Sequence, residues 1–582
     1  MTPPISPPPP AAADALAQIV HALLPPLLLA AASVKALHSR WRALHGTLLA
    51  LQSSLAAVPA SASAYPLFAD LVASLLPALR SLHALSVRCQ DPGLPGGRLR
   101  LQSDLDMAAS SLSLFLHDLS LLLRSGLLSV DSSTASSPNA IVLQVPASAA
   151  SRADKSLFVR DAFARLQIGG LDLKLKALAS LLELLSDNPA AEAAQVVAAD
   201  GDVAALLRLL DSSSHSALRD SAVAAVAHLA TAGAASRRVV FDEGGLGPLL
   251  RVLDSGLAPA TRERAAAAVV AITADAGSAW ALSAYGGVSI LINACRPSSG
   301  SPAVQALAVA ALKNVASIDD VRLALVEEGG LPVLVDLLAS GTAGMQKSAA
   351  LCFWSLASMG DHETQSQIVQ AGALPPLLQA LHIASDQDLQ DSVLRAIHAL
   401  TSVPAAARTL CSSPLFFAQI TDLICCCGSI LMQQMAADMV ADLAPTVSDD
   451  TRHCMSPCIG TLVKMMEVAK PATVQESAGR ALLALLTLKS NRKGFVRDGK
   501  CVTRLVQMLD PQNEEIDKKY PVSIFLALAM GGGNGTRRKL VDAGSCQHLQ
   551  KLADAEVPGA KKALQRISSS RLKSLLSIGW QN

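Results

Sequence analysis

Aromatic residues make up only 3% of this 582-residue chain, and charged residues only 16%. So few rings suit a core built of many thin layers of small side chains better than one large globular core. The sequence has no GxxxxGK[ST] loop, no GxSxG elbow, no HExxH and no paired CxxC, which removes the usual signatures of nucleotide, acyl-transfer and zinc chemistry. The run from Gly531 to Gly535 is glycine-rich but has neither a Lys-Ser pair nor a strand before it, so it reads as a turn. The chain therefore reads as a non-enzyme without cofactor or metal.

A secretory leader needs a basic n-region, and none is present. The longest apolar stretch, Ala11 to Ser33, is interrupted by Asp14, Gln18, His21, Pro25 and Pro26. It is expected to be a buried bundle helix, with no transmembrane segment in the chain. The eleven cysteines form an odd set, which without a leader fits reduced thiols packed as small apolar residues. Cys425 to Cys427 with His453, Cys454 and Cys458 lack paired zinc spacing. The expected compartment is the cytoplasm, with the nucleus open as a second one.

What the sequence does have is Ala, Leu and a repeat. The stretch FDEGGLGPLLRVLDS at Phe241 to Ser255 returns as AADGDVAALLRLLDS, SAYGGVSILINACRP, VEEGGLPVLVDLLAS and VQAGALPPLLQALHI, and more weakly from Val496 and Val541. The first glycines are Gly201, Gly244, Gly286, Gly329, Gly372, Gly499 and Gly544, at steps of 43, 42, 43, 43, 127 and 45. The long step is three ordinary ones and implies decayed copies near Pro414 and Pro457. A helical period of this length means a solenoid with two or three helices per unit. A short helix, often carrying an Arg, precedes the glycine, which is expected to turn with positive φ. A second helix carries an apolar stripe, and a third is built on small residues, as in RDSAVAAVAHLA from Arg219 and QKSAALCFWSLA from Gln346.

In order, the chain reads as a Pro-rich disordered tail (1–12), an N-terminal helical bundle (13–128), a Ser/Pro-rich linker (129–154), about nine repeats (155–570) and a C-terminal tail (571–582). The bundle should hold four helical segments, near 13–32, 34–57, 66–89 and 99–125, separated by Pro- and Gly-rich breaks. The linker offers Ser132, Ser133, Thr134 and Ser136 for phosphorylation, and its IVLQV run could add a local strand. Residues 488–582 carry 17 Lys and Arg against 8 Asp and Glu, a net of +9 that leaves −8 for the rest of the chain. Arg537, Arg538, Lys539, Lys561 and Lys562 are the candidates for a basic patch at this end.

The pattern G-G-L/V-x-x-L-V-x-L-L-x-S followed by A-A-x-A-L-x-N-L-A resembles the armadillo repeat over residues 157–570. The resemblance implies an all-α chain in which the N-terminal bundle precedes a right-handed superhelical solenoid. More narrowly, the segments from Leu101 (LQSDLDMAASSLSLFLHDLSLLLRSGLL), Leu166 (LQIGGLDLKLKALASLLELL) and Arg571 (RLKSLLSIGW) resemble plant armadillo proteins related to the U-box family. Ligase members of that family carry a U-box between bundle and repeats. Here the 26-residue linker stands there, so ligase activity is not carried over.

In importin-α a Trp and an Asn four residues later on each third helix grip an extended peptide. In register, this chain places His228, Ala271, Asn314, Ser355, Ala399, Asp442, Ala484 and Ala527 in the Asn position. Asn314 alone matches, and Ala310 stands where its Trp would be, so nuclear import of basic signals is not implied. His228, Asn314, Ser355 and Asp442, with Trp354 as an anchor, are the candidate groove residues; each also has a structural reading as a core or solvated side chain. The expected function is a scaffold for partner proteins on the concave third-helix surface. The alternatives are an adaptor subunit of a ubiquitin-ligase assembly and a peripheral tether whose basic end makes weak contact with anionic membrane. No nucleic acid is expected, and the partner and oligomeric state stay open.

Overall fold

The computed structural model describes residues 12–567 apart from 35, 60–61, 64, 92–97, 126–127, 129–144, 148–149, 187–189, 212–214, 256, 300, 385, 468–470 and 532. The Pro-rich start, the phosphorylation candidates Ser132 to Ser136, the IVLQV run as far as Gln144 and the tail 571–582 lie outside the described residues. Every regular element among the described residues is helical. The chain divides into two compact units, Met1–Ala281 and Leu282–Asn582.

The first unit opens with the bundle. Its leading helix runs as Ala12–Ala17, a π-helical turn Gln18–Leu23, and Leu24–Ser33. The rings of Pro25 and Pro26 would meet the carbonyls of His21 and Ala22 in a regular α-ladder, and the wider π turn makes room for them. His38–Ala56, Pro66–Gln90 and Arg98–Ser125 complete the bundle. Ile19, Leu24, Leu27, Trp41, Leu48, Phe68 and Leu79 are buried in one core that also takes in Ala164 of the helix Arg152–Ile168. The bundle is thus continuous with the start of the repeats. Tyr65 donates its phenolic hydrogen to Asp161, which also accepts from Arg165 at 3.1 Å.

After the pair Arg152–Ile168 and Leu171–Ser186, two helix triplets follow in the first unit: Ala190–Asp200, Val203–Arg208 and Ser216–Ala232, then Ala234–Asp242, Leu246–Asp254 and Pro259–Thr273. The second unit begins within the short helix Ala281–Ala284, which Gly287–Cys295 and Pro302–Val315 follow. Triplets then start at Asp319, His362, Pro404, Asp449, Lys489 and Asn534. Those starting at Pro404 and Asp449 contain Pro414 and Pro457, where the glycine signature has decayed. Third helices stack on third helices within each unit, Ser216–Ala232 against Pro259–Thr273 and Ile430–Leu443 against Ala472–Leu485. Alanines such as Ala225, Ala268, Ala437 and Ala481 are fully buried, which lets the backbones approach closely.

The paired glycines have two different jobs. Gly329 has φ of 75°, and Gly244, Gly286, Gly372 and Gly544 share that left-handed turn, which other residues adopt at a cost. A Cβ on Gly330 would lie 2.6 Å from the Leu325 carbonyl oxygen, so the second glycine is a place of close approach. Gly201 and Gly499 depart from the expected positive φ. Gly201 is held instead by crowding, since a Cβ there would strike the Phe163 ring. Gly499 opens the helix Gly499–Met508 behind the capping carboxylate of Asp498.

Polar side chains close the joints. Ahead of Gly244, Gly499 and Gly544 an Arg donates to a carbonyl at the end of the previous third helix: Arg237 to Ala230 at 3.0 Å, Arg492 to Leu486 at 2.8 Å and Arg537 to Ala529 at 2.9 Å. Gln365 does the same to Ala357 at 2.8 Å. The Arg or Gln that opens a third helix caps the second helix: Arg262 to Leu253, Gln346 to Leu338, Gln390 to Ala384 and Gln433 to Ile424. Helix C-termini leave carbonyls without intrahelical partners, and these long donors satisfy them.

Candidate partner-binding face

Each third helix buries one side against its own repeat and its neighbours and leaves a strip exposed. In the first unit this strip carries His228, whose pKa is held below the ordinary histidine value, first by partial loss of solvent and then by the nearby charge of Arg264. More than two turns earlier on the same helix, Asp220 accepts from Thr261 at 2.9 Å, tying adjacent third helices.

In the second unit the strip is a run of charged contacts between consecutive third helices. Lys347 reaches Asp388 at 2.7 Å. Arg395 is held by Asp391 at 2.7 Å, and its guanidinium lies over the Trp354 ring, 5.6 Å from the centroid. Arg480 reaches back to both Asp438, at 3.3 Å, and Asp442. Tyr520 donates to Glu476 at 2.8 Å, and Lys519 sits over its ring. Burial raises the Asp438 carboxyl above the ordinary aspartate value, with Ser477, His398 and Arg480 opposing it.

Trp354 is 36% exposed, a large flat apolar surface on this strip. Ser355 and Asn314 occupy the same face and are half-buried. Asp442 is exposed but committed to Arg480, so its charge is answered within the chain. Arg395, Arg480 and Asp438 escaped the sequence reading. Arg480 stands 42 and 38 residues from Asp438 and Asp442, so opposite charges separated by one period in third-helix register are the signal for that pair, whereas Arg395 has its acid, Asp391, four residues away on its own helix.

The basic candidates at the C-terminal end separate by orientation. Arg537 turns inward to the Ala529 carbonyl, and Lys539 lies 3.5 Å from the Val496 carbonyl oxygen. Arg538, Lys539, Lys561 and Lys562 are exposed. Arg538 and Lys561 each lie near an acid, Asp542 at 4.0 Å and Glu556 at 3.9 Å.

No group of three or more metal-ligating side chains occurs among the described residues. Cys458 is buried and donates to the Met455 carbonyl, while Cys454 is exposed. Burial pushes the thiols of Cys295 and Cys458 up to about 12, which makes them packing groups rather than nucleophiles. By length and composition the helices Ala12–Ser33 and Pro66–Gln90 could each cross a membrane, against the expectation of no such segment. In the fold each gives one side to the bundle core, and Leu29 is left exposed.

Residues 319–358 match the armadillo/beta-catenin-like repeat, and residues 18–127 match a domain of unknown function, DUF7032. Among curated proteins, the chain is 27% identical to Protein CELLULOSE SYNTHASE INTERACTIVE 3 of Arabidopsis thaliana over 235 residues, covering 36% of this chain and 10% of that protein. It is 31% identical over 111 residues to Vacuolar protein 8 of Candida albicans, covering 19% of each. The matched parts thus span a tenth and about a fifth of these relatives. Among solved structures, an engineered protein aligns with a TM-score of 0.57 and 26% identity, covering 71% of this chain and 98% of that one.

Proposed function

We propose that this armadillo-repeat protein is a non-catalytic scaffold that holds partner proteins on the exposed strip of its third helices. The observation that carries the reading is Trp354, an indole kept at the surface by a neighbouring guanidinium on a face otherwise neutralised by its own ion pairs. Binding energy at protein interfaces concentrates in a few such anchors, with Trp, Tyr and Arg most frequent among them. Asn314, Ser355 and His228 supply polar groups on the same kind of face, where an amide can both donate and accept. The kinship with plant U-box-related proteins and the cytoplasm, with the nucleus as a second compartment, belong to the same proposal.

The adaptor and tether readings give different results in one experiment. A photo-crosslinker placed at Ser355 in the full chain should capture partner proteins, and Trp354→Ala should abolish the capture. Crosslinking that survives Trp354→Ala unchanged sinks the reading. Recovery of ubiquitin-conjugating enzymes would identify an adaptor. Flotation on anionic liposomes, lost when residues 560–582 are removed, would identify a tether.

A further inference from the structure

The helix Lys489–Arg497 buries Asn491, Phe495 and Val496 and turns Lys489, Lys493 and Arg497 to solvent. These three stand at four-residue steps, so they form one row with about 6 Å between successive cations. None of the three takes part in an ion pair among the described residues. The row continues onto the packed first helix of the next repeat, Asn534–Asp542. There Lys539 lies 3.5 Å from the carbonyl oxygen of Val496, beside Arg497, and Arg538 is 85% exposed. Two acids that adjoin the row in sequence are already engaged: Asp498 accepts from the backbone of Lys500 and the thiol of Cys501, and Asp542 stands 4.0 Å from Arg538.

We propose that this cationic row, on first helices rather than third, is a second docking surface that takes an acidic peptide segment of a partner protein. Alternate side chains of an extended chain repeat at about 7 Å, close to the spacing of the row. A peptide with carboxylates or phosphates at every second residue can therefore meet Lys489, Lys493 and Arg497 in turn. The exposed side of the helix offers only Lys489, Ser490, Lys493, Gly494 and Arg497. It lacks the apolar side chains that an interfacial helix sinks into a bilayer, which favours a peptide over a membrane. Such contacts are electrostatic and mostly exposed, so they govern association rate and salt dependence more than tight affinity.

The test uses the full chain and a labelled peptide of alternating Glu and Ser, followed by fluorescence anisotropy at low and physiological salt. Wild type is expected to bind it, and to bind it more weakly as salt rises. The combined change Lys489→Gln, Lys493→Gln and Arg497→Gln should raise Kd by roughly tenfold or more, and Arg538→Gln with Lys539→Gln by a smaller factor. All five side chains are exposed, and an unchanged melting temperature verifies that the fold is retained. Trp354→Ala should leave this binding intact, which separates the row from the third-helix scaffold surface. Equal affinity of the triple variant and wild type overturns the proposal. So does equal binding of a Gln-Ser peptide, or retention by phosphatidylserine vesicles with none by the acidic peptide.

Discussion

Arg395, on the helix Gln387–Leu400, lies over the indole of Trp354 on the preceding third helix, its guanidinium carbon 5.6 Å from the ring centroid. Asp391 fixes the same guanidinium from one turn away at 2.7 Å. The three side chains join two repeats and hold an aromatic surface in place while leaving it open to solvent. A cation over an exposed ring contributes about 0.5–1 kcal/mol, small beside what a buried anchor contributes to an interface.

Binding and stability should therefore separate at this pair. Trp354→Ala is expected to weaken partner binding by roughly tenfold or more while lowering unfolding free energy by only about 1 kcal/mol. Arg395→Ala should cost less in both. Titration calorimetry with a captured partner and urea unfolding measure the two effects. A Trp354→Ala protein that is strongly destabilised but binds normally would show the ring to be core.

The glycine pair makes a second, purely conformational prediction. Gly329→Ala forces a side chain into the left-handed region and should cost about 1–2 kcal/mol. Gly330→Ala drives a methyl to 2.6 Å from the Leu325 carbonyl oxygen and 2.7 Å from its Cδ2, so overpacking should cost about 1–3 kcal/mol. Gly499→Ala, in open space at the start of a helix, should be neutral or slightly stabilising. Denaturant melts of the three variants give the order, and a Gly499 variant as damaged as the other two would contradict it.

His228 supplies the pH dependence. Its folded pKa lies below the ordinary 6.5, so the unfolded chain takes up this proton first. Stability from this group is complete above the ordinary histidine value and declines as the pH falls through it toward the lower folded pKa. His228→Gln should flatten that part of the stability profile, read as melting temperature against pH. An unchanged slope in the variant would assign the dependence to another group.

The repeat was legible in the sequence because its signals are short-range. Glycine spacing, the Arg ahead of it and the Gln or Arg that opens each third helix all act within about ten residues, and the structure gives each a local partner, as Arg237 has in Ala230 and Gln346 in Leu338. Even so, glycine letters alone did not reveal that Gly201 answers to the Phe163 ring, 38 residues earlier in the chain. Composition likewise marked a basic C-terminal end without showing that Arg537 faces inward while Lys489, Lys493 and Arg497 line one helix face.

The helices, their period and the small-residue third helices that stack follow from neighbouring residues, because helix periodicity, turn geometry and alanine packing are local. Which side chains on those helices stay available to a partner depends instead on how one repeat packs on the next. Asp442 and Trp354 looked alike as candidates on one face, yet Asp442 is neutralised by Arg480 while Trp354 is displayed by Arg395. That difference depends on the register between residues about one repeat apart, which is set by how whole helices pack and not by any local stretch of chain.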